Sequence, residues 1–280
     1  RSTPLYSSAA SDVYKRQAET TDRTIAEIGI RFTDRRTWKN ISLSACGNCS
    51  CHTICDHWSG CGLAVPSPKR ISEKYEINFR FFSGQKNDER LHIIVKSDAA
   101  LEIINAVRAM GWLDEPSLAN TWPHNSIQER WHRTLEDCCR AANLQSAMPE
   151  PAWDHTVLYA YMAINITKHA ARLPHEKDAA GNFLPEYKQK WSQTCWEAHH
   201  GESFDGPIEP YGRLVYYLDK KDRHPMFAAT KPGLFLGWDI TAGMRYRDVV
   251  IIGDYDNFFV KDDFNDGYAK RCQKKRMSFS

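Results

Sequence analysis

The sequence is first notable for what it does not contain. No apolar run approaches the roughly 20 residues that a helical membrane span requires, so that class is excluded. No sign of charge dominates: 37 Lys and Arg face 35 Asp and Glu, for a net charge of +2. Composition alone therefore does not announce a nucleic-acid binder, and any such binding must come from local basic patches. No secretory signal is read at the amino end, and the nine cysteines are odd in number. The expectation is free thiols in an intracellular setting, not a disulfide framework. No internal repeat is found. What is present is 280 residues, 42% hydrophobic and 26% charged. That is enough for one sizeable core and a small second domain of ordinary globular composition.

The chain is organised around residues 91–135. Residues 91–95 are apolar and β-branched, as in a buried strand. Ser97-Asp98 follows, then residues 99–110 take helical spacing through Leu101, Ile104 and Val107, with Gly111 as a natural stop. A second helix opens near Asn125 or Ser126 and carries Ile127, Trp131, Leu135, Cys138 and Ala142 on one face. Glu129, Arg133, Glu136 and Arg140 fall on the other. An acid at a strand end and one in the first turn of a nearby helix could hold a divalent cation between them.

These residues resemble the integrase core of copia-type retrotransposons. The likeness is carried by Ser97-Asp98, Glu102, Pro123-His124-Asn125, Gln128-Glu129-Arg130 and Arg133-Thr134-Leu135. It continues through Trp153, Asn165, Pro210-Tyr211-Gly212, Pro232-Gly233 and Phe235-Leu236-Gly237-Trp238, covering roughly residues 75–259. The family uses Asp, Asp and Glu on a ribonuclease-H-like fold, and the resemblance implies that Asp98 is the second Asp and Glu129 the Glu. Thirty residues separate the two, a few fewer than the family has. The first Asp has no match on a strand followed by a glycine or proline turn. Asp34 and Asp56 lie at arguable distances.

Along the chain, residues 1–17 lack periodicity and look like a translated adaptor, from which the chain is expected to be an open fragment. Residues 18–74 form a divergent Cys-rich segment in which residues 24–32 alternate weakly, as a strand would. Cys46, Cys49, Cys51, Cys55 and Cys61 cluster there with His52 and His57. Cys46-x-x-Cys49 has zinc-knuckle spacing, but no second pair follows, so free thiols are expected and zinc is not. Residues 75–200 are the integrase-like core: 75–82 as a strand or helix end, 153–168 as a helix packing Val157, Tyr161 and Ile164, and 173–190 as a loop. His199-His200 reads as a pair of exposed loop histidines. Residues 201–262 are β-rich, with strands at 214–218, 234–238 and 249–252 suggesting a small barrel or meander. Residues 263–280 form a basic tail with Lys270, Arg271, Lys274, Lys275 and Arg276, which either contacts phosphates or is solvated.

The expected architecture is thus α/β: a ribonuclease-H-like core, incomplete at its amino end, followed by a small β domain. By resemblance the function is DNA integration within a retrotransposon polyprotein, comprising 3′-end processing and strand transfer. The cofactor would be Mg²⁺ or Mn²⁺ held by Asp98 and Glu129, since carboxylates are hard oxygen ligands. Two ions roughly 3.5–4 Å apart would stabilise the attacking and leaving oxygens. Element-end and target DNA would be the partners, contacted through Asn125, Arg130, Arg133 and the Lys274, Lys275 and Arg276 cluster. The resemblance further implies a homo-oligomer working in the nucleus, without a membrane. The residue pattern alone also fits purely local roles: a Ser126–Glu129 capping box, Asp98 as a helix N-cap, and Arg130 and Arg133 paired with Glu136 and Asp137. The alternatives are an inactive, truncated relic that at most binds nucleic acid, and a zinc-binding module on residues 46–61.

Overall fold

A computed structural model describes residues 23–30, 43–44, 46–84, 93–97, 100–116, 126–169, 193–218, 230–256, 269–273 and 277–279. Strands β1 (Arg23–Ile30), β2 (Ser50–Asp56) and β3 (Gly62–Ser67) form an antiparallel meander. Strand β4 (Ile93–Ser97) lies parallel to β1, and β5 (Leu113–Pro116) parallel to β4. The sheet order is β3-β2-β1-β4-β5. A three-stranded antiparallel meander extended by two parallel strands is the ribonuclease-H-like arrangement.

This corrects the expectation of a core incomplete at its amino end. The Cys-rich segment supplies β2 and β3, and the weakly alternating stretch before it supplies β1. The strands were hard to read because β2 is buried at every position yet carries Ser50, His52, Thr53 and Asp56. Buried polar groups are tolerated when hydrogen-bonded, and they erase the alternation by which strands are recognised.

Helix α1 (Ser72–Ser83) resolves the ambiguity at residues 75–82: Tyr75, Asn78, Phe79 and Phe82 are buried at helical spacing. Helix α2 (Leu101–Ala109) lies where expected and gives way to Gly111 at φ +70. Its buried face is Ile103, Ala106 and Val107, while Leu101 is 72% exposed. Helix α3 (Ser126–Ser146) buries Gln128, Trp131, Leu135, Cys139 and Ala142. The expected face is rotated: Gln128 is inside and Ile127 outside, because polar atoms of β2 meet this first turn. Helix α4 (Trp153–Thr167) is buried on most sides, including Val157, Tyr161 and Ile164, as befits a helix packed against β3, α3 and the second sheet at once.

The second sheet contains β6 (Leu214–Leu218), β7 (Thr230–Thr241), β8 (Arg245–Asp254), β9 (Ala269–Gln273) and β10 (Met277–Phe279). Its strands are antiparallel in the order β10-β6-β7-β8-β9. Residues of both sheets belong to one continuous buried cluster. Among the described residues, no helix is long and apolar enough to cross a membrane.

A short helix, α5 (Cys195–His200), replaces the expected loop around the paired histidines. Thr194 and Glu197 form a reciprocal capping box at its start, and Gly201 closes it at φ +77. His199 is buried and not loop-exposed.

Candidate active site

The parallel pairing of β1 with β4 places Glu27 opposite Ser97, one position before Asp98. Glu27 is the only acid in β1, and Gly29 follows it by two residues. Helix α3, which carries Glu129 in its first turn, packs against β1. Glu27 on β1 thus sits beside the last residue of β4, and α3 packs against the same strand β1. Glu129 is exposed, as are Arg130 and Arg133 on the same helix. Arg133 is not part of the ion pair nearby, where Asp137 pairs with Arg140. Glu102 is half-buried in the first turn of α2.

Glu27 is not legible in the sequence as the first acid, because the family carries an Asp there and strand register cannot be read from one strand alone. The usable signal was an acid inside a short alternating run followed by glycine. Asp98, Asn125, Lys274, Lys275, Arg276 and Asp34 lie outside the described residues.

Asp56, the other candidate for the first acid, is unsuited to hold an ion at a cleft. It is 1% exposed, accepts hydrogen bonds from the Ser59 hydroxyl (2.8 Å) and the Trp58 amide (3.0 Å), and stands 3.7 Å from His199 Nδ1. It ties the β2–β3 turn to α5. A carboxylate so enclosed is a structural group.

The first turn of α3 is seated on β2 by three side chains. Gln128 Nε2 donates to Thr53 Oγ1 (3.1 Å) and lies 3.0 Å from His132 Nε2, which is 2.6 Å from Thr53 Oγ1. An amide nitrogen only donates, so His132 Nε2 accepts and the ring is neutral. Burial lowers the His132 pKa to about 4, consistent with that state. This contact sets the position of the helix turn from which Glu129 projects.

Cys46 and Cys49, the pair with knuckle spacing, each have other neighbours. Cys49 Sγ donates to the Pro68 carbonyl at 3.1 Å, whereas Cys46 faces the first turn of α4, with its sulfur, an Asp154 oxygen and a His155 nitrogen within 4.8 Å of one another. Cys51, Cys55, Cys61, Cys139 and Cys195 are buried and joined by no disulfide among the described residues, and burial pushes the Cys51, Cys55 and Cys139 thiols well up.

The order and direction of the strands define the class: a ribonuclease-H-like α/β fold. No family model and no curated protein matches the sequence. Among solved structures, a chain of the simian T-cell lymphotropic virus intasome in complex with PP2A regulatory subunit B56 gamma overlaps with a TM-score of 0.41 at 13% identity, over 92% of this chain and 78% of that one. The HTLV-2 integrase catalytic core in complex with magnesium gives 0.37 at 12% identity, over 63% of this chain and 95% of that one. The BIV integrase catalytic core gives 0.35 at 13%, over 60% and 93%. Overlap at this level carries no functional argument, and the fold assignment rests on strand order and direction.

Proposed function

We propose that this chain performs metal-dependent polynucleotidyl transfer on DNA, the chemistry of an integrase, with Glu27, Asp98 and Glu129 as its three carboxylates. The observation that carries this reading is the β1–β4 register, Glu27 opposite Ser97. It supplies the acid that the residue pattern lacked. Three carboxylates bring enough negative charge to gather two Mg²⁺ or Mn²⁺ ions, and oxygen donors suit those metals over softer ones. The ions would polarise the scissile phosphate and generate the attacking oxygen, first from water and then from a DNA 3′-hydroxyl. Exposed Arg130 and Arg133 on α3 extend the same surface with positive charge suited to phosphates, and Asn125 and the Lys274, Lys275 and Arg276 cluster would add to it. The motif order from Asp98 to Trp238 supports descent from a copia-type element, and work on chromosomal DNA would place the protein in the nucleus as an oligomer.

The test is transfer of a labelled duplex end into target DNA with Mn²⁺. Glu27→Gln, Asp98→Asn and Glu129→Gln are each expected to lower the rate by at least ~100-fold, as removal of a ligand from a two-metal centre should. Full activity in any one of them contradicts its assignment. One observation favours a second reading. The β1 acid is a Glu, one methylene longer than the Asp of the family, which suits a relic that has lost catalysis. An inactive native chain that gains activity as Glu27→Asp would identify that case.

A further inference from the structure

We propose a second metal site, for a zinc-like cation, formed by Cys46, Asp154 and His155 at the junction of the turn before β2 with the first turn of α4. It stands independently of the catalytic reading. The three donor atoms already lie within 4.8 Å of one another. A zinc ion bound at about 2.0–2.3 Å from each would set them roughly 3.3–3.8 Å apart. The closure is about 1 Å, which rotation of the exposed Cys46 side chain can supply.

The surroundings are built to present these groups. The Cys46 turn is closed by Gly47 N–H to Ser44 C=O (2.9 Å), Ser44 N–H to Asn48 C=O (2.9 Å) and Asn48 N–H to Ser44 Oγ (2.9 Å). Gly47 takes φ +75 there, which only glycine adopts without strain. The Asp154 carboxylate, 3% exposed, is oriented through both oxygens: Oδ2 accepts from Asn48 Nδ2 (3.2 Å) and Oδ1 from the His155 amide (2.9 Å). Each oxygen keeps a second lone pair, and outer partners of this kind fix a metal ligand's orientation.

The donor set selects the ion. A thiolate, a carboxylate and a neutral imidazole together balance a 2+ charge, and sulfur with nitrogen favours zinc over Mg²⁺ or Ca²⁺, which take oxygen. With three protein ligands the fourth position belongs to water. The exposed Cys46 provides the entry path, and the bound ion would staple the chain before β2 to α4.

The experiment is titration of the full chain, stripped with chelator and kept reduced, with Co²⁺ as a spectroscopic probe and Zn²⁺ and Mg²⁺ as competitors. One Co²⁺ per chain is expected, with thiolate-to-cobalt charge-transfer absorption displaced by Zn²⁺ and not by Mg²⁺. Cys46→Ser should abolish the band, His155→Gln should weaken binding at least 10-fold, and Cys49→Ser should change neither. Circular dichroism of each variant confirms that the fold is retained. Absence of the band in the native chain overturns the proposal. So does its survival in Cys46→Ser, and so does its loss in Cys49→Ser with retention in His155→Gln, which would place the ion on a Cys46–Cys49 knuckle.

Discussion

Gly62 opens β3 directly beneath a tryptophan, and a Cβ there would stand 2.1 Å from Trp131 Cζ2. Its amide donates to Asn165 Oδ1 at 2.8 Å and its carbonyl accepts from Asn165 Nδ2 at 2.7 Å. One buried side chain on α4 thus satisfies both backbone groups at the end of a strand. Asn165→Ala would leave two buried polar groups unpaired and should destabilise the fold by about 2–6 kcal/mol, at roughly 1–3 kcal/mol for each. Gly62→Ala should also destabilise, by about 1–3 kcal/mol, because Trp131 must leave its rotamer. Urea denaturation checks both, and an Asn165→Ala midpoint equal to the native one contradicts the clamp. Asn165 was singled out by residue resemblance, yet its role was not legible: it depends on a partner 103 positions away.

At the scale of elements, helix boundaries read well and helix faces less well. Helices α2, α3 and α4 lie close to where apolar spacing put them. On α2 Val107 is buried as expected, but Ile103 and Ala106 are buried in place of Leu101 and Ile104. On α3 Trp131, Leu135 and Ala142 are buried as expected, while Gln128 and Cys139 take the places of Ile127 and Cys138. On α3 the reason is a polar contact: Gln128 and His132 meet Thr53 on β2, so the buried face is not the most apolar one. Strand β2 has a similar pair, with His52 stacked on Tyr75 (centroids 4.0 Å apart) and Nδ1 2.8 Å from Asn78 Nδ2. Burial, together with the charges of Arg70 and Lys74, lowers the His52 pKa to about 4. For both His52 and His132 the folded pKa lies below the ordinary 6.5, so the unfolded chain takes up protons first as pH falls. Stability is therefore complete above about 6.5 and is lost progressively toward about 4. The melting temperature should drop between pH 7 and pH 5, and a His52→Asn/His132→Asn variant should lose part of that slope, the rest coming from His57, His155 and His200, whose pKa values burial also lowers. Equal slopes would show that other groups govern the acid limb.

Across the whole molecule, α4 is the element that both sheets share. Tyr159 stacks on Trp238 of β7 (centroids 5.4 Å, 14° between planes), and Trp238 Nε1 donates to the Pro207 carbonyl at 2.7 Å. Tyr211 packs beside Tyr159, and its hydroxyl accepts from Thr156 Oγ1 at 3.2 Å. The tyrosine and tryptophan of the Pro210-Tyr211-Gly212 and Phe235-Leu236-Gly237-Trp238 segments thus seat the second sheet on the first. Trp238→Ala should cost about 3–5 kcal/mol. Fluorescence and far-ultraviolet circular dichroism should report one coincident unfolding transition in the native chain. Two separated transitions would mean that the sheets fold independently. The sequence indicated a β-rich carboxyl half and a core-packing face of Val157, Tyr161 and Ile164 on α4, but not that the same helix would also carry the second sheet, because Tyr159 and its partner Trp238 are 79 positions apart.

The proposed metal chemistry requires Glu27 to complete a carboxylate set with Asp98 and Glu129. Calorimetric titration of the native chain and of Glu27→Gln with Mn²⁺ tests this most directly. Sub-millimolar binding in the native chain, weakened at least ~10-fold in Glu27→Gln, is the predicted result. Equal binding in the two would contradict the assignment of the β1 acid, and no binding in either would mean that the fold persists without its metal chemistry.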